Sequence, residues 1–529
     1  MSKKSYYLRP DVMLEPLVNQ WYAWPHLISP TTAAMHVVNG HIRMMRSFIS
    51  SPDIHAAAVN NPALRGGPFV DLPRSSVGEV KALLDKTLRE QVHLIEFAEG
   101  VKALNETLSS EATGQTLEPL YEKVPNALRG YVELVYDLNK NASVRFVEPL
   151  LYASKYYDPL LQSVDLSIVE GDHRPFVFST PRLTSQNRVN LPIPFEHDAL
   201  DMLCRMRREP QEFDYLIEAL NLNKESAERL QPFVTETAPP AADPYRGDSV
   251  RIRYLGHACI LIESKGVSIM TDPLISYPGN DSDRRITYSD LPEVIDYVLI
   301  THAHQDHVLL ESLLQLRHKI KCLVVPRSGG GSLEDPSLKF GLKKIGFQKV
   351  IEIEEMEAIE VEGGTITGLP FFGEHGDLNI KSKIAHLVRV NGKTILCAAD
   401  SANIESKLYE HVHKETGDID ILFIGMECEG APVSWIYGAL MTKPLDRKAD
   451  QSRRLSGSDC RKAIDLVKRF NCKRVYVYAM GQEPWLSFVT SIKYTDESKP
   501  IVESNRLLEA CATLGIEAER LYWQKEIYL

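Results

Sequence analysis

The segment Tyr297–His307, which reads Y-V-L-I-T-H-A-H-Q-D-H, constrains the fold of this 529-residue chain more than any other stretch. Its apolar residues predict a short buried strand that ends at Thr301. Four side chains that can bind metal follow within six residues, namely His302, His304, Asp306 and His307. Few structural roles other than metal binding bring three imidazoles and a carboxylate together. We therefore expect two adjacent metal ions, with the first two histidines at one and the Asp-His pair at the other.

Further ligands are needed, and two other segments offer them. Asp400 lies just past the apolar strand predicted at Thr394–Cys397, and a carboxylate can hold two cations with its two oxygens. The alternative role for Asp400 is to cap a helix that starts near Asn403. The segment Phe371–Leu378, F-F-G-E-H-G-D-L, offers both Glu374 and His375. From the residues alone, either could complete the site.

The chain is too long for one hydrophobic core, so more than one domain is expected. The Pro- and Ala-rich segment Thr235–Gly247 is the best predicted boundary, between domains at 1–240 and 248–529. The first domain has no metal-ligand cluster, and it is predicted to be a mixed, helix-rich α+β domain. In it Leu84, Leu88, Val92 and Ile95 fall at helical spacing. We expect this domain to serve in dimerisation, partner docking or covering the active site.

Charge and composition exclude several classes of function. The formal net charge is −11, whereas a sequence-independent nucleic-acid binder needs a basic face. No stretch approaches the length of a membrane span, and no apolar run follows the N-terminus, so neither a membrane protein nor a signal peptide is predicted. The eight cysteines are scattered and form no C-x-x-C pair. They are typical of reduced thiols in a cytoplasmic protein.

Two motifs precede the histidine cluster. They are R-Y-L-G-H-A-C-I-L-I-E-S at Arg253–Ser264 and V-S-I-M-T-D-P-L at Val267–Leu274. With T-H-A-H-Q-D-H they resemble the metallo-β-lactamase superfamily. The resemblance covers about residues 248–529, and it implies an αββα sandwich with a dinuclear metal site along one edge. It also implies that Asp400 is the bridging carboxylate.

The same motifs contain two residues that we expect beside the metal ligands. Asp272 is predicted to orient a metal-bound histidine, because such ligands usually donate their second N–H to an acceptor. His257 is expected to have a structural or supporting role, with metal ligation as the less favoured alternative.

The segment around Glu374 resembles a smaller branch of the superfamily, the diiron β-hydroxylases of nonribosomal peptide pathways. In these enzymes a glutamate replaces a histidine ligand of the hydrolases, so the resemblance favours Glu374 over His375. Hydrolases also commonly carry a late histidine, whereas no histidine follows His413 in this chain. The metal held by Asp306 and His307 would therefore keep open positions. Such carboxylate-rich ligation suits the oxygen chemistry of iron.

The resemblance implies an O2-dependent diiron monooxygenase with two iron ions and O2 as co-substrate. Its substrate would be an amino acid held as a thioester on a peptidyl carrier domain of a nonribosomal peptide synthetase, hydroxylated at Cβ. No flavin, nicotinamide or Fe–S fingerprint occurs, so an external reductase must supply electrons. A homodimer is expected from the same resemblance. The alternative is a dinuclear-metal hydrolase of a phosphodiester, lactone or thioester.

Three further features have a functional and a structural interpretation each. Glu427 follows the predicted strand Ile419–Ile424, and it could act as a catalytic carboxylate or lie in solvent. Three aromatic residues could line an apolar substrate pocket or belong to the core: Trp435, Tyr437 and Trp485. A basic run could receive a phosphopantetheine phosphate or an acidic carrier domain, or be a solvated loop. It consists of Lys443, Arg447, Lys448, Arg453 and Arg454.

Overall fold

The computed structural model describes residues 4–240, 244–279 and 285–529. In the C-terminal part of the chain, two seven-stranded sheets form the framework. The strands of the first sheet are, in spatial order, Val350–Ile353, Ile320–Pro326, Ile295–Leu299, Val267–Thr271, Cys259–Ser264, Arg251–Gly256 and Lys525–Tyr528. Those of the second sheet are Ala358–Val361, Gly364–Leu369, Ala385–Val390, Lys393–Cys397, Ile421–Gly425, Arg474–Tyr478 and Glu517–Arg520.

The two sheets share one apolar core, in which Ile260 and Leu299 of the first sheet lie with Val388 and Phe423 of the second. Helices cover the outer face of the second sheet, at Ser406–Thr416, Cys460–Arg469 and Lys499–Thr513. The helices Leu310–Leu316 and Leu338–Lys344 pack on the first sheet, together with residues of the N-terminal domain. The predicted αββα metallo-β-lactamase sandwich is confirmed.

Parallel strands at the centre of each sheet determine where the loops meet. Val267–Thr271, Ile295–Leu299 and Ile320–Pro326 run parallel in the first sheet. In the second sheet Lys393–Cys397 runs parallel to Ile421–Gly425, which is followed by the parallel strand Arg474–Tyr478. The carboxyl ends of parallel strands lie at one edge of a sheet, where ligands usually bind in α/β proteins. The predicted metal ligands lie directly after the ends of strands or in the loops that come next in the chain.

The N-terminal domain is mixed, as predicted. It contains a four-stranded sheet of Trp21–Tyr22, Val12–Val18, Gln162–Ile168 and Arg188–Leu191, a small sheet of Gln211–Glu212, Ser5–Leu8 and Val234–Thr235, and the hairpin Val132–Tyr136 and Ala142–Phe146. Its main helices are Pro30–His36, Arg43–Ser50, Pro52–Val59, Val77–Glu90, Val92–Glu111, Glu148–Tyr152, Asp198–Arg205, Phe213–Ala219 and Lys224–Leu230. A π-helical turn, Val37–Ile42, joins the first two of these helices.

The single helix predicted across Leu84–Ile95 is divided in two. Gln91 leaves helical geometry, with φ −109° and ψ 27°, and separates Val77–Glu90 from Val92–Glu111. The carbonyl oxygen of Gln91 accepts the amides of Leu94 and Ile95, and so begins the second helix. The apolar spacing therefore belongs to two consecutive helices, and Val92 is 46% exposed instead of buried.

A buried ionic network joins the two domains. Glu15 accepts hydrogen bonds from Arg174, Arg182 and Arg188, all within the N-terminal domain. Arg174 also binds Glu311 of the C-terminal domain, with 2.7 Å between Nη2 and Oε2. Because both carboxylates are buried, separation of the domains would leave charges without partners.

Residues 241–243 of the predicted boundary segment Thr235–Gly247 lie outside the described residues. All eight cysteines are free thiols, and six of them are buried, in agreement with the prediction from their spacing. Within the described part of the chain, no helix combines the length and the apolar character needed to cross a membrane.

Candidate metal centre

Asp272 organises the histidine loop. It follows the strand Val267–Thr271, and its Oδ1 accepts the amide of Thr301 at 2.8 Å. Its Oδ2 accepts the Thr301 hydroxyl at 2.7 Å and lies 2.8 Å from Nδ1 of His307. This carboxylate therefore fixes the start of the loop and directs Nε2 of His307 away from itself. The structure thus brings Asp272 to the place that sequence analysis predicted for it.

The first group of candidate ligands consists of His302, His304 and Glu374. Nδ1 of His304 lies 2.7 Å from Oε1 of Glu374, and Nε2 of His302 lies 3.6 Å from Oε2. All three side chains are buried. No hydrogen-bond partner for Nε2 of His302 or Oε2 of Glu374 exists among the described residues. Buried donors and acceptors rarely stay unpaired, so these atoms fit a bound cation.

Asp400 lies between the two histidines that flank the centre of the site. Its Oδ2 is 2.9 Å from Nε2 of His307 and 3.9 Å from Nε2 of His302, while Oδ1 has no partner among the described residues. This position fits a carboxylate shared by two cations. The helix-capping alternative is not realised, because the next helix begins at Ser406 and is capped by Glu405.

His257 takes part in the site more directly than its sequence context indicated. It lies in a turn with φ +49°, and its ring faces Asp306 and His307. These three side chains can each offer an atom so that all three atoms lie within 4.8 Å of one another. The G-H-A motif was the available signal, but only the fold places this histidine beside Asp306.

The structure separates the roles of the adjacent residues Glu374 and His375. Glu374 adopts φ +68° and directs its carboxylate towards His302 and His304. His375 places its Nδ1 3.1 Å from Oε2 of Glu374 and 3.3 Å from the carbonyl oxygen of Gly373, and its ring stacks on His304 at 4.5 Å between centroids. Among the described residues His375 belongs to none of the groups that could hold an ion. The geometry therefore favours Glu374 as the ligand.

The electrostatics of the site favour a bound cation. Burial, and then the repulsion of Asp400, raise the pKa of Glu374 well above its usual value. Burial, and then neighbouring histidines, lower the pKa of His302 well below its usual value. Burial opposes charge on His307 as well, but Asp400 and Asp272 outweigh it and raise its pKa. The neutral imidazole of His302 and the mutually repelling carboxylates are donors that suit a divalent cation such as iron, and a cation would replace the proton that these carboxylates favour on His307.

Tyr437 contacts a candidate ligand in a way that sequence analysis did not predict. Its hydroxyl lies 3.1 Å from Nε2 of His304, the ring nitrogen that does not face Glu374. The sequence assigns the tyrosine either to an apolar substrate pocket or to the core. No local sequence signal connects it with His304, because the two residues are 133 positions apart.

The other candidates are distributed around the centre. Glu427 follows the strand Ile421–Gly425 and is partly buried. Desolvation of its carboxyl, and then repulsion by Asp400, raise the pKa of Glu427 well above its usual value. Trp435 lines an aromatic cavity, as proposed from the sequence. Trp485 packs elsewhere, against Trp523 at 5.1 Å between ring centroids.

Comparisons with known proteins agree with this geometry. Residues 7–239 match a family described as the diiron non-heme beta-hydroxylase N-terminal domain, and residues 251–435 match the beta-lactamase superfamily domain. The chain is 38% identical over 531 residues to the 4-amino-L-phenylalanyl-[CmlP-peptidyl-carrier-protein] 3-hydroxylase of Streptomyces venezuelae, covering 99% of this chain and 100% of the relative. A UPF0173 protein of Pyrococcus abyssi is 34% identical over 126 residues, which are 24% of this chain and 50% of that protein.

The solved structures give the same result. The crystal structure of CmlA, a diiron beta-hydroxylase from Streptomyces venezuelae, matches with a TM-score of 0.93 and 38% identity over the whole of both chains. The full-length relative is a hydroxylase, so the hydrolase alternative finds no support. This chain belongs to the family of diiron β-hydroxylases that includes CmlA.

Proposed function

We propose that this protein hydroxylates the Cβ atom of an amino acid that a peptidyl carrier domain of a nonribosomal peptide synthetase holds as a thioester. The observation that carries the proposal is the carboxylate of Glu374 beside His302 and His304, in a chain that matches a carrier-dependent 3-hydroxylase over its full length. The product would be a hydroxylated aminoacyl unit for natural-product biosynthesis.

We assign the candidate ligands to two iron positions. His302, His304 and Glu374 would hold the first, and Asp306 and His307 the second. Asp400 would be shared, because its Oδ2 approaches the ring nitrogens of both His302 and His307. A pair of irons bound there supplies the activation of O2 that hydroxylation of a C–H bond requires.

The surrounding residues prepare this site. With Nδ1 of His304 directed to the first iron position, the ring proton is on Nε2. This N–H donates a hydrogen bond to the Tyr437 hydroxyl. Asp272 accepts a hydrogen bond from the Nδ1–H of His307, so that Nε2 of this ring is left for the metal. Glu427 would be the catalytic carboxyl, since it follows the strand Ile421–Gly425 and its carboxyl is close enough to Asp400 for the two charges to interact. The domain interface would keep water away from the substrate.

Two partners and a location complete the proposal. An external reductase would deliver the two electrons that each turnover consumes. The N-terminal domain would form a homodimer, as the family resemblance implies. Eight free cysteines support the reducing, cytoplasmic location that their spacing predicts.

The test is to load the protein with ferrous iron, reduce it chemically and add O2 with a panel of aminoacyl carrier domains. Mass spectrometry of the carrier should show the gain of one oxygen atom on one aminoacyl group. A protein that binds only zinc, or that adds no oxygen to any aminoacyl carrier, would contradict the proposal.

Variants of the two adjacent residues test the ligand assignment. Glu374→Gln should reduce the iron content, because an amide oxygen replaces a carboxylate at the first iron position. His375→Ala is the matched control, and it should retain both irons. Loss of iron from His375→Ala with full retention by Glu374→Gln would reverse the assignment.

A further inference from the structure

An aromatic cavity lies between the two domains, with a volume of about 490 Å³. Its aromatic lining comes from both domains and includes Trp21, Tyr22, Trp24, Phe69, Phe176, Phe178 and Trp435. The rings are in contact with one another, since Phe178 lies 4.8 Å from Trp24 and 5.4 Å from Trp435 between centroids. Aromatic side chains of this density usually mark a place where a ligand or a partner is bound.

The floor of the cavity is close to the metal centre. Ile436 lines the cavity, and the next residue, Tyr437, places its hydroxyl 3.1 Å from Nε2 of His304. On the other side, the ring of Trp24 lies 4.5 Å from His26, whose ring lies 6.1 Å from Tyr437. One layer of side chains therefore separates the cavity from a candidate iron ligand.

Exposed cations lie on two segments that contact the cavity lining. Arg43 belongs to the lining, and Arg46 lies one turn further along the same helix. Lys443, Arg447 and Lys448 are exposed and lie on the segment that Asp450 ties to the lining residue Ser434. We call these five residues the basic rim. Among the described residues no carboxylate forms an ion pair with any of them.

Local anions do not neutralise the basic rim directly. Asp446 caps its own helix by accepting the amide of Ala449 at 2.9 Å. Asp450 accepts both the amide and the hydroxyl of Ser434, a residue of the cavity lining, at 3.0 and 2.9 Å. These bonds hold the short helix Arg447–Ser452 at the cavity mouth.

The predicted basic run thus divides into two parts with different roles. Arg453 donates to the carbonyl oxygen of Gly376 at 2.7 Å, and Arg454 donates to that of Gly430 at 2.6 Å. These two arginines anchor the segment, and Gly376 lies only two residues after Glu374. The remaining three cations face solvent and are free to meet a partner.

We propose that the basic rim and the aromatic cavity form the docking surface for the carrier domain and its phosphopantetheine arm. The rim would receive the phosphate of the arm and the acidic face of the carrier, and the cavity would hold the apolar part of the arm. The charge of the rim is opposite to that of the chain as a whole, which carries −11, so it would steer an anionic partner to this place. This inference rests on the proposed function.

The test measures binding rather than turnover. The probes are the carrier domain of CmlP with and without its phosphopantetheine, and free phosphopantetheine. The double variant Lys443→Glu/Lys448→Glu should weaken binding of the phosphopantetheinylated carrier about tenfold at low salt. Arg43→Glu/Arg46→Glu, on the helix that contributes to the cavity lining, should do the same. The effect should shrink at high salt.

A matched control has the same change of charge on a distant surface. Lys414→Glu/Lys468→Glu alters two exposed lysines on the helices that cover the second sheet, and it should bind the carrier as the unaltered protein does. Equal binding by the rim variants and the control would overturn the docking surface. So would failure of the unaltered protein to bind either the carrier or free phosphopantetheine.

The two proposals fail in distinguishable ways. Hydroxylation that continues with rim variants at unchanged substrate affinity would refute the docking surface alone. Carrier binding that depends on the rim, without gain of oxygen by any aminoacyl group, would refute the hydroxylase proposal and leave the surface intact.

Discussion

Nε2 of His257 lies 3.3 Å from Oδ2 of Asp306, and both side chains face His307. The His257 ring is buried, and neither of its nitrogens has a hydrogen-bond partner among the described residues. No histidine follows His413 in the sequence, so the late histidine of the hydrolases is missing. His257 is thus an additional imidazole placed beside the second iron position.

His257→Ala should release iron preferentially from the second position, with affinity reduced about 10- to 100-fold, because it removes the imidazole that lies 3.3 Å from Asp306. Iron per chain after competition with a chelator measures the effect. His257→Gln, which retains an N–H donor, should keep part of the affinity. Two irons held by His257→Ala as tightly as by the unaltered protein would contradict this role.

Tyr437→Phe should weaken iron binding at the first position by about tenfold, because the N–H of His304 would lose its acceptor. The measurement is iron affinity together with the unfolding temperature. Tyr409→Phe serves as a control, since Tyr409 is equally buried but contacts the carbonyl oxygen of Pro370 instead. The prediction is wrong if the two variants bind iron alike.

Glu148 should make the stability of the protein depend on pH. Burial raises its pKa from 4.5 to about 7, even though the amide of Ser337 donates to it. The stabilisation that the protonated Glu148 side chain gives to the folded protein is therefore fully present below about pH 4.5. It is lost as the pH rises through 7. The loss is on the order of 3 kcal/mol.

Glu148→Gln should remove this dependence, since the amide stays neutral and can still accept the Ser337 amide. The variant should gain stability over the unaltered protein at about pH 8 and differ little at about pH 5. Unfolding temperatures at both pH values measure the gain. Glu122→Gln, at an exposed glutamate, should show no such difference between the two pH values.

Arg174→Met should destabilise the domain interface by about 3 kcal/mol, because it leaves the buried carboxylate of Glu311 without a cation. Denaturant unfolding measures the loss. Adding Glu311→Gln should recover part of the stability, since the buried charge is then removed as well. If the losses in unfolding free energy of the two single variants simply add in the double variant, the Arg174–Glu311 ion pair itself does not contribute to stability.

The candidate ligands were predictable from the sequence because they follow strand ends. Apolar runs such as Val298 to Ile300 reveal the strands, and polar residues directly after them must lie at the sheet edge. His302, His304, His307 and Asp400 could all be identified in this way. The αββα sandwich, in contrast, was implied by the family resemblance and not by the strand pattern.

Contacts between distant segments could not be predicted in that manner. The hydroxyl of Tyr437 reaches His304 only because its helix packs between the catalytic site and His26 of the N-terminal domain. The choice between Glu374 and His375 depends on which of them faces His302 and His304 in the fold, and local spacing does not reveal this. The break at Gln91 likewise leaves no mark in the apolar spacing.

The metal-binding side chains are divided between the two sheets. His302 to His307 follow a strand of the first sheet, whereas Glu374 and Asp400 follow strands of the second. Glu374 nevertheless approaches His304 to 2.7 Å across this division. A relative displacement of the two sheets would therefore move Glu374 and Asp400 with respect to the histidine loop. The apolar core between the sheets thus sets the ligand distances as well as the stability of the domain.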